Sequence, residues 1–187
     1  MNVTLDGFMS GPAGELDWHF NSWSEEMAAC AAEQLGKADT IVLGRITYCA
    51  MAMYWPLQTI NVSCAREDVV FADMMNSYTK IVFSKTLPRA TWHNTKLVKG
   101  NITKEIIQLK QSGPSTGKDI MVYGSGSIVT ALTKAGLVDE FRIWVHPVVL
   151  GRGKALFDNL QQQLSLQLVK TTTFLSGVVI LHYVPKN

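Results

Sequence analysis

The chain has too few cysteines, in the wrong pattern, for a covalent or zinc-stapled framework. Cys30, Cys49 and Cys64 are an odd number, and no two stand at C-x-x-C spacing, which argues against a disulfide scaffold and a structural zinc site. Charged residues are only 17% of the 187, and the net charge is +2. That balance gives no reason to expect nucleic acid or an acidic membrane as partner. No apolar run reaches the length of a membrane span. The start, Met1-Asn2-Val3-Thr4-Leu5-Asp6, lacks the basic and apolar regions of a signal peptide, so the expected location is the cytoplasm. His19, His93, His146 and His182 are scattered and do not pair at ligand spacing. Each reads as a surface or satisfied histidine, and no metal is expected.

Two further absences narrow the chemistry. Gly113-Pro114-Ser115-Thr116-Gly117-Lys118-Asp119 is one residue short of a P-loop between its glycines. Asp119 stands where a magnesium-binding hydroxyl belongs, and the segment precedes a strand instead of following one. It reads as a surface loop. Gly124-Ser125-Gly126-Ser127 is not a nucleophile elbow, which needs Gly-x-Ser-x-Gly with the serine central. Acyl transfer therefore has no visible nucleophile and base.

What is present is a globular composition, 47% hydrophobic, in a length suited to one domain over residues 1–187. No repeat, linker or low-complexity tract interrupts it. The organising stretch is Asp119 to Val129: an apolar run, a turn of two glycines and two serines, then a helical pattern of Ile128, Leu132 and Leu137 ending near Gly136. Strand, glycine turn and helix start make an anion cradle, because glycines allow close backbone approach and the first-turn N–H groups point at the ligand. As a dinucleotide fingerprint it is incomplete, since Val129 occupies the third glycine position.

Along the chain, Met1–Leu5 reads as a strand end, Ser10 to Gly14 as a loop, and Glu25 to Leu35 as a helix capped by Asn21 or Ser22. Thr40–Leu43 and Lys80–Phe83 read as buried strands. A helix starts at Gly44-Arg45 and is expected to break at Tyr54-Trp55-Pro56. Arg66–Ser77 and Thr103–Gln111 read as helices, and Thr95–Val98 as a short strand. Glu140–Val149 reads as a long strand, and Leu164–Thr173 with Gly177–Val184 as a terminal hairpin. Alternating strands and helices predict an α/β layered fold, mostly parallel, with an antiparallel end.

Three strands then end in small or basic polar groups: Gly44-Arg45-Ile46-Thr47, Ser84-Lys85-Thr86 and Gly124-Ser125-Gly126-Ser127. In a parallel sheet these tips share one edge, where ligands of α/β folds bind. Two of them open helices, which suits a pyrophosphate. Arg45 can grip phosphate with its planar fork, Lys85 can act as a point charge, and Ser84 and Thr86 supply hydroxyls. Two helix starts plus two cations suit a dinucleotide with an extra phosphate, which means NADPH ahead of NADH. On the resemblance that follows, Asp17 and then Asp6, both in the first loop, are the candidate orienting acids for hydride transfer, and Trp18 and Trp55 the candidate walls of a heterocycle pocket.

Thr40 to Tyr48 resembles the strand-to-helix segment of dihydrofolate reductases. The wider pattern is more similar to the reductase domain at the C-terminus of the bacterial riboflavin-biosynthesis deaminase-reductase and its stand-alone relatives. The matching pieces are Leu5-Asp6-Gly7, Gly14 to Trp18, Gly44 to Tyr48, Tyr54-Trp55-Pro56, Val82 to Leu87, Gly117 to Ile120, Gly124 to Ser127, Gly136 to Glu140 and Pro147 to Gly153. They run in order over almost the whole chain.

The resemblance implies a three-layer α/β/α, dihydrofolate-reductase-like fold with NADPH across the strand ends. It places Gly44, Arg45 and Thr47 near the pyrophosphate, and Ser84 and Lys85 near the adenosine 2′-phosphate. Gly124, Ser125, Gly126 and Ser127 fall along the pyrophosphate and nicotinamide side. The implied substrate is a pyrimidine or pteridine, foremost 5-amino-6-(5-phosphoribosylamino)uracil, with a dihydrofolate or pterin as the alternative. A non-catalytic nucleotide-binding protein is the third reading. Relatives usually carry several more residues before Leu5-Asp6-Gly7, so the first strand is expected either to be short or to have lost its start. The zinc-deaminase signature, His-x-Glu with Pro-Cys-x-x-Cys, is missing. A homodimer is expected through the strand at Glu140–Val149 and the terminal hairpin.

Overall fold

The computed structural model describes residues 1–59, 66–112 and 118–186. In chain order the elements are β1 (Asn2–Thr4), β2 (Phe8–Ser10), α1 (Asp17–Phe20), α2 (Glu25–Gly36), β3 (Ala38–Gly44), α3 (Arg45–Gln58), α4 (Arg66–Ser77), β4 (Thr79–Phe83), β5 (Thr95–Val98) and α5 (Ile102–Ser112). They continue with β6 (Asp119–Gly124), α6 (Gly126–Lys134), β7 (Phe141–His146), β8 (Lys154–Ala155), β9 (Leu166–Thr173) and β10 (Val179–Pro185). The mixed α/β architecture, a parallel sheet plus an antiparallel hairpin, is the one expected of a dihydrofolate-reductase-like chain. Of the P-loop lookalike at 113–119, residues 113–117 lie outside the described residues, and Asp119 opens β6. Two compact units are distinguished, Ala28–Ile128 and Met1–Met27 with Val129–Asn187.

In the unit Ala28–Ile128 four strands pair in the order β5-β4-β3-β6, all parallel. The uninterrupted apolar runs of β3 and β4 are what a sheet covered on both faces demands, and Ile41, Val42, Leu43, Ile81 and Val82 are buried. Leu35, Tyr48, Met75 and Trp92 pack with Ile41, Leu43 and Val82 in one core. The Tyr48 hydroxyl reaches out of that core to accept the backbone N–H groups of Thr91 and Trp92, each at 2.9 Å.

One expectation fails here. Helix α3 does not break at Tyr54-Trp55-Pro56 but runs to Gln58. Pro56 sits in the last turn, where its missing N–H removes one helical bond at most. The last-turn carbonyls, which have no helical partner ahead of them, are met from outside the ladder: Asn76 donates to the Trp55 carbonyl at 3.1 Å, Thr59 Oγ1 to the Pro56 carbonyl at 3.1 Å, and Gln58 Nε2 to the Tyr54 carbonyl at 3.4 Å.

The other unit holds a second four-stranded sheet, ordered β1-β7-β10-β9. β1 is parallel to β7, and β10 is antiparallel to both its neighbours. Trp144 anchors it, stacked on Phe174 at 5.5 Å and on Trp23 at 5.9 Å. The tight β9–β10 return uses Gly177 at φ +82°, a conformation costly for other residues. A two-stranded ribbon, β2 with β8, is not foreseen by the sequence pattern. Helix α6 ends as expected at Gly136 (φ +64°), with Leu137 N–H bonded to the Leu132 carbonyl and Gly136 N–H to the Thr133 carbonyl. That pairing is the Schellman ending. The cap of α2 is neither Asn21 nor Ser22: the Ser24 hydroxyl accepts the Met27 N–H at 3.3 Å, because a cap must stand within three residues of the N–H it satisfies.

Candidate functional site

In the parallel sheet, Gly44 pairs with Phe83 and Leu43 with Gly124. The C-terminal tips of β4, β3 and β6 therefore lie side by side on one edge, roughly 4.8 Å from strand to strand. Gly44, Arg45 and Thr47 stand where β3 becomes α3. Ser84, Lys85 and Thr86 follow β4, and Gly124, Ser125, Gly126 and Ser127 carry β6 into α6. All ten cofactor residues proposed from sequence are thus gathered at one edge of one sheet. Two helix N-termini open there, of 14 and 9 residues, each carrying roughly half a positive charge.

The junction between two of the tips is close. A Cβ on Gly44 would stand 2.4 Å from Ser125 Oγ and 3.0 Å from the Ser125 backbone nitrogen. With φ at −84° the backbone itself tolerates any residue, so space alone demands glycine. Ser125 Oγ lies 3.0 Å from Ser127 Oγ, which sets two hydroxyls at the start of α6. On the β4 side, Ser84 Oγ accepts the N–H groups of Thr86 at 3.1 Å and Leu87 at 2.9 Å. That turn holds Lys85 and Thr86 in solvent. Arg45 and Lys85 are exposed, and neither forms an ion pair among the described residues.

Trp55 does not belong with this group. It lies about ten residues along α3, roughly 15 Å from the cradle end, and its indole packs on Phe71 at 5.0 Å within the core. Its partly buried ring packs against the core, apart from the strand tips.

The remaining candidates fall in the unit built from Met1–Met27 and Val129–Asn187. Asp6 is occupied structurally. Its carboxylate accepts the Thr4 hydroxyl at 2.6 Å and the backbone N–H groups of Gly151 at 2.7 Å and Leu150 at 3.3 Å. The Thr4 bond, helped by those two amides, holds the Asp6 carboxyl below its usual range, so it stays ionised and clasps two loops together. Asp17 opens α1 and is exposed. Trp18 is buried, edge-to-face with His146 at 5.2 Å.

Sequence reasoning missed His146. Far from being a satisfied surface group, it is fully buried, and only one of its ring nitrogens has a partner: Nε2 lies 3.1 Å from Asn2 Oδ1. Burial, with the neighbouring His19 ring at 6.0 Å, pushes its pKa down to about 4, so the imidazole is neutral at pH 7. The available signal was its place at the end of a long β-rich run, immediately before Pro147. No helix among the described residues is long and apolar enough to cross a membrane.

The RibD C-terminal domain model matches residues 1–180. The uncharacterized Bacillus subtilis (strain 168) protein YyaP is 38% identical over 181 residues, 97% of this chain and 90% of that protein. Among solved structures, a Shewanella sp. PV-4 protein assigned provisionally to riboflavin biosynthesis superposes with a TM-score of 0.73 at 23% identity, covering 100% of this chain and 97% of that one. A Thermotoga maritima protein described as a diaminohydroxyphosphoribosylaminopyrimidine deaminase/5-amino-6-(5-phosphoribosylamino)uracil reductase gives 0.65 at 14% identity, covering 99% of this chain and 55% of that one. At these identities the solved structures establish the fold. The family match and the level of identity to YyaP establish more: the chain belongs to the RibD C-terminal domain family.

Proposed function

We propose that this protein is an NADPH-dependent reductase of a pyrimidine- or pteridine-type heterocycle, of the 5-amino-6-(5-phosphoribosylamino)uracil reductase kind. The observation that carries the reading is the single edge shared by the tips of β3, β4 and β6, with two helix N-termini and two exposed cations and nothing of the protein's own ion-paired to them among the described residues. The donor set suits a phosphorylated dinucleotide. Backbone N–H groups at the starts of α3 and α6 suit a pyrophosphate, and Arg45 and Lys85 suit anionic oxygens. Gly44 leaves room where any side chain would displace Ser125.

When bound, NADPH supplies the hydride. The chain's own part is to hold and align it. Gly44, Arg45, Thr47, Gly124, Ser125, Gly126 and Ser127 would grip the pyrophosphate side, and Ser84, Lys85 and Thr86 the 2′-phosphate. Alignment of this kind contributes on the order of 7–11 kcal/mol to a bimolecular step. Asp17 is the exposed acid available to orient a substrate. The same reading includes a homodimer, for which edge strand β9 offers exposed Leu168 and Val169; sedimentation velocity tests that part.

The test of the cofactor is a titration with NADPH and NADH on the wild type, Arg45→Ala and Lys85→Ala. Lys85→Ala is expected to weaken NADPH at least tenfold and leave NADH within about twofold, one lost charged contact corresponding to roughly 1.5–3 kcal/mol. Arg45→Ala is expected to weaken both. NADPH binding that neither change weakens removes the proposal.

A further inference from the structure

Trp18 and His146 present an anomaly that packing alone does not account for. The indole Nε1 and the imidazole Nδ1 are both buried, and neither has a hydrogen-bond partner. Trp18 is 7% exposed and His146 0%. Their rings touch edge-to-face, with centroids 5.2 Å apart and planes at 85°. An unmade buried bond is costly, and native structures hold few of them without a reason.

The two atoms are also complementary. The indole N–H can only donate. His146 Nε2 lies 3.1 Å from the Asn2 side-chain oxygen; with the proton on that nitrogen, Nδ1 is left with its lone pair. One donor and one acceptor on adjoining rings match the edge of a cyclic amide, whose carbonyl and adjacent N–H point the same way. Uracil and the pterin ring both carry that edge.

Placement supports a ligand as the missing partner. His146 and Thr4 are paired at the C-terminal ends of β7 and β1, the parallel pair of this sheet, and such tips are where ligands of α/β folds bind. Trp18 is carried by α1, a single turn of 4 residues with no side-chain cap. Leu16, just before it, and Phe20, its last residue, are exposed. So short a helix has little stability of its own. His19 Nδ1 donates to the Leu16 carbonyl at 2.5 Å, which fixes that ring beside the pair.

We propose that Trp18 and His146 are specificity-determining residues that read a cyclic amide on the heterocycle: Trp18 Nε1–H gives to the ring carbonyl, and His146 Nδ1 takes the ring N–H. This rests on the heterocycle-reductase reading. It adds a residue, His146, that no sequence motif singled out, and it narrows the substrate to heterocycles with a free lactam edge.

The test uses the full chain and ligand-observed NMR titration with two probes, uracil and 1,3-dimethyluracil, which keeps the carbonyls and lacks both N–H groups. NADPH binding is measured in parallel. The variants are Trp18→Phe, which keeps an aromatic ring and removes the donor, and His146→Leu, which removes the acceptor at similar volume. Wild type is expected to bind uracil at least tenfold more tightly than its dimethyl analogue. His146→Leu should lose most of that preference, Trp18→Phe should weaken uracil and its dimethyl analogue alike, and both should keep NADPH affinity within twofold, which also shows that the variants fold. Equal binding of both probes by wild type, an undiminished preference in His146→Leu, or an unchanged uracil affinity in Trp18→Phe overturns the inference and assigns the pair to an internal water. NADPH binding without binding of either probe overturns it too while sparing the cofactor assignment. Absent NADPH binding with the uracil preference intact defeats the reductase reading and upholds this one.

Discussion

Lys80 lies inside the core and should dominate the stability of the unit that carries the cradle. Its side chain is 0% exposed. The ammonium donates to the carbonyls of Met75 at 2.9 Å, Asn76 at 2.9 Å and Tyr78 at 2.8 Å, and stands 4.6 Å over the Trp92 ring. Two of those carbonyls belong to the last turn of α4, so Lys80 works as a buried C-cap whose charge complements the helix dipole. Three bonds to a charged donor amount to roughly 1.5–3 kcal/mol each, and the cation–π contact to about 2. Desolvation opposes them. Burial lowers the pKa from its ordinary 10.5 to about 8, a cost of about 3 kcal/mol. Lys80→Met keeps the volume, deletes the charge and strands three buried carbonyls. The expected loss is about 3–5 kcal/mol, the range for removing one member of a buried charged network. Urea unfolding at pH 7, followed by far-ultraviolet circular dichroism and tryptophan fluorescence, measures it. The sign with pH is also fixed. Between pH 8 and 10.5 the unfolded chain binds this proton more tightly, so wild type gains stability relative to the variant as pH rises through that window. A loss below about 1 kcal/mol at pH 7, or a gap that narrows toward pH 10, refutes the reasoning.

Other outcomes follow from single contacts. Gly44→Ala sets a Cβ 3.0 Å from the Ser125 nitrogen, so NADPH affinity should fall at least tenfold in a fluorescence titration while the circular dichroism spectrum stays native. Asp6→Asn weakens the clasp on Thr4, Leu150 and Gly151 and should lower the urea midpoint at pH 7. The depressed Asp6 pKa contributes stability that is present above the ordinary carboxyl range and lost as pH falls through it, so this difference should shrink in acid. His146, with its pKa lowered from 6.5 to about 4, makes the folded state resist protonation. Stability should drop by about 3 kcal/mol as pH falls from 6.5 to 4, and His146→Leu should flatten that part of the urea-midpoint profile.

What could be read from the residues is what depends on neighbours in sequence. Ile41–Leu43 and Ile81–Phe83 are continuous apolar runs, and a buried parallel strand needs little more. The glycine turn at 124–127 and the Gly136 ending of α6 are signalled by residues whose backbone freedom those positions require. The short β2–β8 ribbon has 3 and 2 residues in its strands, too few for any periodicity, and its pairing spans most of the chain. Pro56 misleads because a proline rule written for helix interiors costs little in a last turn whose carbonyls are met by Asn76, Thr59 and Gln58. Lys80 is invisible for a related reason: a lysine in a strand reads as solvated until α4 is known to end above it. His146 is the sharpest case. Its Nε2 meets Asn2 Oδ1, 144 residues away, and its other nitrogen means something only beside Trp18, which a different element delivers. The cradle was legible because each of its parts closes a strand in plain sequence, and parallel pairing then brings strand ends to one edge without further instruction. A reading group such as Trp18 with His146 has no such shortcut, since its two atoms acquire complementary roles only after the strands between them are in register.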